Sequence, residues 1–182
     1  MRIAAQIIGI FAMLFNILSY QQKNKTQIVA LQLFGSTLFS IHFFMLGAYM
    51  GGLLNVIGIF RAIVFLKEDC FHAKHWAWLF GFVAIYLLSY LLTFTVFEKA
   101  FTLSNGIIEL LPVIGMTATT FAFRAKSAKS TRLLGFVSSP AWLIYNVISV
   151  SIGAICCELF SLLSILIGLL RFDVKNKEGL KK

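Results

Sequence analysis

The sequence predicts an all-α integral membrane protein with seven transmembrane helices, arranged 3+1+3 as two parallel triple-helix repeats around one linker helix. Three observations predict it. The 182 residues are 59% hydrophobic and 13% charged, with a mean hydropathy of +0.89, well outside the composition of soluble domains. The apolar residues fall into seven runs, each near the roughly 20 residues that a membrane helix needs. Polar residues inside and between those runs recur at an offset of 103 positions, pairing Gln6 with Glu109, Lys23 with Lys126, Ser36 with Ser139, His42 with Tyr145 and Asn55 with Glu158.

The runs cover residues 3–20, 27–46, 49–67, 76–96, 106–123, 132–149 and 152–171. The first follows Met1-Arg2, has no small-residue cleavage site and leads into Tyr20-Gln21-Gln22-Lys23, so it is expected to be a retained helix. Gly47-Ala48 separates the second run from the third, and Val150-Ser151 the sixth from the seventh; both links are short enough to make tight antiparallel hairpins. Pro112 in the fifth run and Pro140 in the sixth each remove a backbone donor, which predicts kinks there, with Gly115 beside the first as a hinge. The first half has glycines instead, among them Gly9, Gly35, Gly51, Gly52 and Gly58. The expected units are residues 1–68 as the first repeat, 69–103 as a cytoplasmic loop and linker helix, 104–172 as the second repeat and 173–182 as a basic tail.

Orientation follows from the distribution of Lys and Arg between the runs. One face carries Arg2 and Lys99. The other carries Lys23, Lys25, Lys67, Lys74, Arg124, Lys126, Lys129, Arg132, Arg171, Lys175, Lys177, Lys181 and Lys182. The heavily basic face is expected in the cytoplasm, with the N-terminus outside and the C-terminus inside. The net charge of +9 therefore reads as a topology signal and as a surface for anionic lipids, not for nucleic acid. Because a single linker helix separates them, the two three-helix units share one orientation, a transporter plan in which the solute site lies at the repeat interface.

Three cysteines give no disulfide framework. Cys70, His72 and His75 form a C-x-H-x-x-H cluster, a weak zinc signal beside the plainer reading of interfacial histidines, and no metal or cofactor is expected.

Polar groups inside membrane helices are costly and mark functional candidates. At about 1.5 Å per residue, Asn55 and Glu158 lie roughly 10 Å below the outer ends of their helices. His42, Tyr145 and Glu109 lie about one turn below that face. The candidate solute-binding residues are Asn55, Glu158, His42, Tyr145, Asn146, Trp142, Glu109 and Gln6. Glu109 is also readable as a helix cap, His42 as a structural histidine, and Asn55 and Asn146 as cross-helix hydrogen-bond partners. Arg61 is expected to snorkel to the cytoplasmic headgroups, outside the pocket.

The segments His42-Phe43-Phe44-Met45-Leu46-Gly47-Ala48-Tyr49, Arg61, Glu109-Leu110-Leu111-Pro112-Val113-Ile114-Gly115, Trp142-Leu143-Ile144-Tyr145-Asn146 and Ser151-Ile152-Gly153 resemble, together and over nearly the whole chain, the YgjV-type family of bacterial inner-membrane proteins. That resemblance implies a multi-pass protein of the inner membrane. More distantly, the plan is similar to the SWEET and PQ-loop (MtN3-like) superfamily, where an asparagine on the third helix of each repeat faces the sugar. Asn55 matches that position, Glu158 stands at its counterpart, and the chain has no Pro-Gln pair. The resemblance carries the fold and the pocket location. The expected function is a transporter or facilitator of a small polar solute by alternating access. The alternative is a non-transporting receptor, sensor or scaffold. No nucleophile-base set of recognisable spacing suggests an enzyme.

Overall fold

A computed structural model describes residues 2–45, 49–96, 98–148 and 152–174. The hairpin turns expected at Gly47-Ala48 and Val150-Ser151, and the tail from residue 175 on, lie outside the described residues. Helix α1 spans Arg2–Ser19, α2 Lys25–Met45, α3 Tyr49–Leu66, the single turn α4 Glu68–Phe71, α5 Trp76–Thr95, α6 Leu103–Arg124, α7 Ala128–Ile148 and α8 Ile152–Gly168. The last continues as a π-helical turn over Leu169–Val174. Among the described residues there is no strand.

The long helices fall on the seven apolar runs. Helices α6 and α7 begin three and four residues earlier than their runs, because polar caps start them. Thr102 Oγ1 accepts from the Asn105 amide at 3.1 Å, and Ser127 Oγ accepts from the Ser130 amide at 3.1 Å. Apolar content detects the buried turns of a helix and not its polar first turn. By length and composition, α2, α5, α6 and the stretch Ala154–Asp173 are long and apolar enough to cross a membrane, whereas Ile3–Ser19 and Gly51–Leu66 are apolar but shorter. The hydropathy of α7 is lowered by Thr131, Arg132, Ser138, Ser139 and Asn146, all of which are buried against neighbouring helices.

Helix α2 packs between α1 and α3, α7 between α6 and α8, and α5 against α6 and α3, while α1 meets α8 and α2 touches α7. An aromatic ladder fastens α5 in place. Trp78, Phe82 and Tyr86 recur every four residues, with ring centroids 6.0 and 6.3 Å apart. Phe65 of α3 lies 6.5 Å from Phe82 and 6.0 Å from Phe123 of α6. These contacts lie in a core that also takes in Leu54, Ile57, Val113 and Met116. The periphery is apolar as well, with Phe80 66%, Leu91 56% and Leu163 55% exposed, the arrangement of a bundle whose solvent is lipid.

One end of the bundle is closed by Arg132. Its side chain is fully buried; Nε donates to the Tyr20 carbonyl at 2.9 Å, Nη1 to Asp173 Oδ2 at 2.7 Å, and Nη2 to the Gln22 carbonyl. The guanidinium thus ties the C-terminal end of α1 to α7 and to the π turn. The wider winding of that turn brings Asp173 back towards α7, with which it is in contact.

Candidate functional site

A cavity of about 120 Å³ lies between the helices, lined from six of them. For scale, an apolar cavity of about 150 Å³ takes up benzene. Helical spacing explains its walls. On α2, Gln32, Ser36, Phe39 and Phe43 fall on one stripe, and on α8, Ala154, Cys157, Glu158 and Ser161 do the same. Helix α7 contributes Ser138, Ser139, Trp142 and Asn146; α1 contributes Asn16, and Tyr20 follows its last residue. Asn55 and Arg61 come from α3, Met116 and Thr119 from α6.

The offset of 103 reappears in this wall. Asn16 and Thr119, Ser36 and Ser139, Phe39 and Trp142, Phe43 and Asn146, and Asn55 and Glu158 are five such pairs, and all ten residues line the cavity. The same offset maps the limits of α2 onto those of α7, and the start of α3 onto that of α8.

Several of the hydroxyl and amide groups are satisfied locally. Asn55 Nδ2 donates to the Gly51 carbonyl at 2.8 Å. Thr119 Oγ1 lies 2.8 Å from Ser138 Oγ, and the two hydroxyls lie 2.9 and 3.0 Å from the Gly115 carbonyl, so that one donates to the carbonyl and the other to its neighbour hydroxyl. Gln32 Nε2 donates to Ser19 Oγ at 3.2 Å. Glu158 has the Ser139 side chain within hydrogen-bonding reach and Tyr20 nearby.

Of the residues expected in the pocket, Asn55, Glu158, Asn146 and Trp142 line it together. Gln6 is exposed, and His42, Tyr145 and Glu109 are not among the lining residues. His42 Nδ1 lies 2.7 Å from the Ala5 carbonyl, joining α2 to α1, and its ring fills the space over Gly9. Tyr145 packs edge-on against Trp142, with centroids 6.0 Å apart. Glu109 is buried in an ion pair with Lys99. Its reading as a helix cap is corrected: α6 starts at Leu103 behind Thr102, which puts Glu109 beyond the first turn. Pro112 and Pro140 lie inside α6 and α7, and Gly115 lies against Trp142.

The expectation for Arg61 is overturned. The side chain does not reach for headgroups; it is 4% exposed and lines the cavity. Its Nη1 donates to Tyr86 Oη at 3.0 Å and to the Met116 carbonyl at 3.2 Å, and its guanidinium carbon sits 4.9 Å from the centre of the Phe123 ring. Sequence reading also missed Asn16, Tyr20, Gln32, Ser36 and Thr119 as lining residues; for Asn16 and Thr119 the 103-residue offset was a usable signal.

A second, wider cavity of about 580 Å³ lies at the end of the bundle where α2 and α7 begin. Lys23 just before α2, Lys25 at its start, Lys74 before α5 and Lys126 before α7 surround it together with Glu68 and Asp69. Glu68 pairs with Lys25 and Lys74, each at 3.2 Å. Burial pushes its carboxyl up, but the hydrogen bonds and charges of the two lysines outweigh that and leave it below its ordinary value. His75 serves as the N-cap of α5, accepting from the Ala77 amide at 3.2 Å, and among the described residues no group of His, Cys, Asp and Glu is arranged to hold a metal ion.

The family model described as a bacterial inner membrane protein, Imp-YgjV, matches residues 3–176. The chain is 26% identical over 184 aligned positions to "Inner membrane protein YgjV" of Escherichia coli K12, an alignment covering 97% of this chain and 88% of that protein. No solved structure matches. With apolar helices around a cavity that has polar lining and a family match over residues 3–176, the chain belongs to the Imp-YgjV family of bacterial inner membrane proteins.

Proposed function

We propose that the protein is a transporter or facilitator of a small polar solute, working by alternating access between two parallel triple-helix repeats, α1–α3 and α6–α8, with α5 as the linker. The observation that carries this reading is the cavity wall itself: five residue pairs at one sequence offset, one member from each half, meet around the same space. Convergent polar groups among apolar walls suit a solute site, and a site shared by two halves is the arrangement that rocking motion can open to either side. The reading takes all seven long helices as spans. The 18 residues of α1 and of α3 reach about 27 Å at 1.5 Å per residue, close to the hydrocarbon thickness of about 30 Å. It keeps the N-terminus outside and the four-lysine cavity on the cytoplasmic face, where anionic lipids would be its partners. It likens the fold to the SWEET superfamily in plan only, and it involves no chemical step and hence no enzymatic activity.

Uptake and counterflow in proteoliposomes, with a panel of small solutes, tests the reading. Wild type is expected to move at least one class of solute, and Asn55→Ala with Glu158→Gln to reduce that flux at least tenfold while leaving the protein folded. The absence of flux, together with melting temperatures that no solute changes, would reject it. A receptor or scaffold would instead lose a partner when Lys23 and Lys126 are neutralised.

A further inference from the structure

Arg61 is a buried cation without a counter-ion. Among the described residues no carboxylate lies within 4.0 Å of its nitrogens, and its Nε has no hydrogen-bond partner. Every group it does touch is neutral: a phenol hydroxyl, a backbone carbonyl, a thioether and an aromatic face. An unpaired charge away from water is costly unless something supplies the opposite charge. The surroundings leave room for that. Arg61 and the Ser36 hydroxyl both line the cavity, so the guanidinium borders space that a ligand can fill.

The same cavity carries a carboxyl group on a different helix. Glu158 of α8 is in its wall, and among the described residues it too belongs to no ion pair. The two ionisable groups thus line one small space, one from each half, without bridging one another. A neutral sugar or a simple amine would leave Arg61 without a counter-ion, and a simple anion would make no use of the Glu158 carboxyl.

We propose that the cavity takes a small zwitterion, with a carboxylate on Arg61 and a cationic nitrogen on Glu158. A guanidinium presents paired donors that match a carboxylate, which gives the anionic end its specificity. The cationic end is held by the Glu158 carboxylate, with Ser139 beside it. The volume of about 120 Å³ restricts the ligand to a compact one, of the size of a small neutral amino acid. This inference rests on the cavity being the solute site, and it adds the charge pattern of the solute.

The test uses the purified full chain and ligands that each lack one charge. Binding of L-alanine, L-serine and glycine betaine is measured by melting-temperature shift and by competition, against propionate, which lacks the cation, and L-alaninamide, which lacks the carboxylate. D-glucose is the neutral control. At least one zwitterion is expected to bind at least tenfold more tightly than both propionate and L-alaninamide, with glucose without effect. Arg61→Lys keeps the charge without the fork and is expected to weaken the zwitterion at least tenfold with little effect on L-alaninamide. Glu158→Gln is expected to weaken the zwitterion and leave propionate unchanged. Equal binding of zwitterion and truncated analogues, binding of glucose in preference to the zwitterions, or no binding of any zwitterion overturns the proposal. Flux of glucose alone would overturn the zwitterion while sparing the transport reading. Zwitterion binding without flux would sustain the ligand class and favour the receptor reading over transport.

Discussion

Arg132 and Asp173 form an ion pair, Nη1 to Oδ2 at 2.7 Å, across 41 residues of chain, and the same guanidinium holds the carbonyls of Tyr20 and Gln22. One side chain therefore satisfies three acceptors from two segments, the link after α1 and the π turn.

Removing that side chain should be among the most damaging single changes. Arg132→Met leaves Asp173 and two carbonyls without their donor, and breaking a buried pair costs about 3–5 kcal/mol. Arg132→Lys is expected to rescue little, because a single ammonium cannot reach three acceptors that a planar fork reaches. Thermal melting of the purified protein in detergent is the measurement; a lysine variant as stable as wild type would contradict the account.

The pair of Lys99 with Glu109 predicts an asymmetry. Glu109 is buried and Lys99 is 40% exposed. Lys99→Ala strands a buried carboxylate and should cost about 3 kcal/mol, whereas Glu109→Gln frees a lysine that can turn to water and should cost under about 1 kcal/mol. Comparing the two melting curves decides it.

Gly115 carries a packing prediction. A Cβ there would lie 2.7 Å from both Cδ1 and Nε1 of Trp142 and 3.3 Å from the Ser138 carbonyl. Gly115→Ala should destabilise the protein by about 1–3 kcal/mol and push the indole into the cavity, weakening ligand binding. Adding Trp142→Ala removes the clash, so the double variant should lose less stability than the two single changes summed, and binding should not return. Melting and ligand titration on the single and double variants separate the two effects.

Glu68 carries a pH prediction. Its carboxyl is held below the ordinary 4.5 by Lys25 and Lys74 against the opposing effect of burial. The folded state thus gains stability that is fully present above pH 4.5 and lost as pH falls through the lowered folded value. Glu68→Gln should lower the melting temperature slightly at neutral pH, by under about 1 kcal/mol for so accessible a pair, and the two proteins should converge in acid. Parallel melting curves at all pH values would refute it.

Much of this architecture was legible before any coordinates. The long helices were visible because lipid demands a run of apolar residues of set length, and Asn55, Glu158, Trp142 and Asn146 were visible because polar or amphipathic groups are rare in such runs. Ser138 and Thr119 were not, since hydroxyls in membrane helices commonly bond to their own backbone, as Thr119 does to Gly115, and leave no compositional trace. The burial of Arg61 is not legible from its distance to the helix end, because that distance fixes depth and not azimuth. Phe60 and Ile63 on either side of it face outward, while Arg61 and Ala62 turn in towards partners on α5 and α6 that no local pattern announces. Arg132 was hidden for the same reason, its acceptors lying 112 and 110 residues away.

The Arg132 clamp also imposes an order on biosynthesis. Tyr20 and Gln22 leave the ribosome early, Arg132 more than a hundred residues later and Asp173 another 41 after that. At about 5–20 residues per second, the arginine waits some seconds for its carboxylate after it has been made. Until then the arginine has only the carbonyls of Tyr20 and Gln22 as acceptors. Asp173 is thus the last partner of the clamp to be made, and a chain arrested before it would hold a buried guanidinium without its counter-ion.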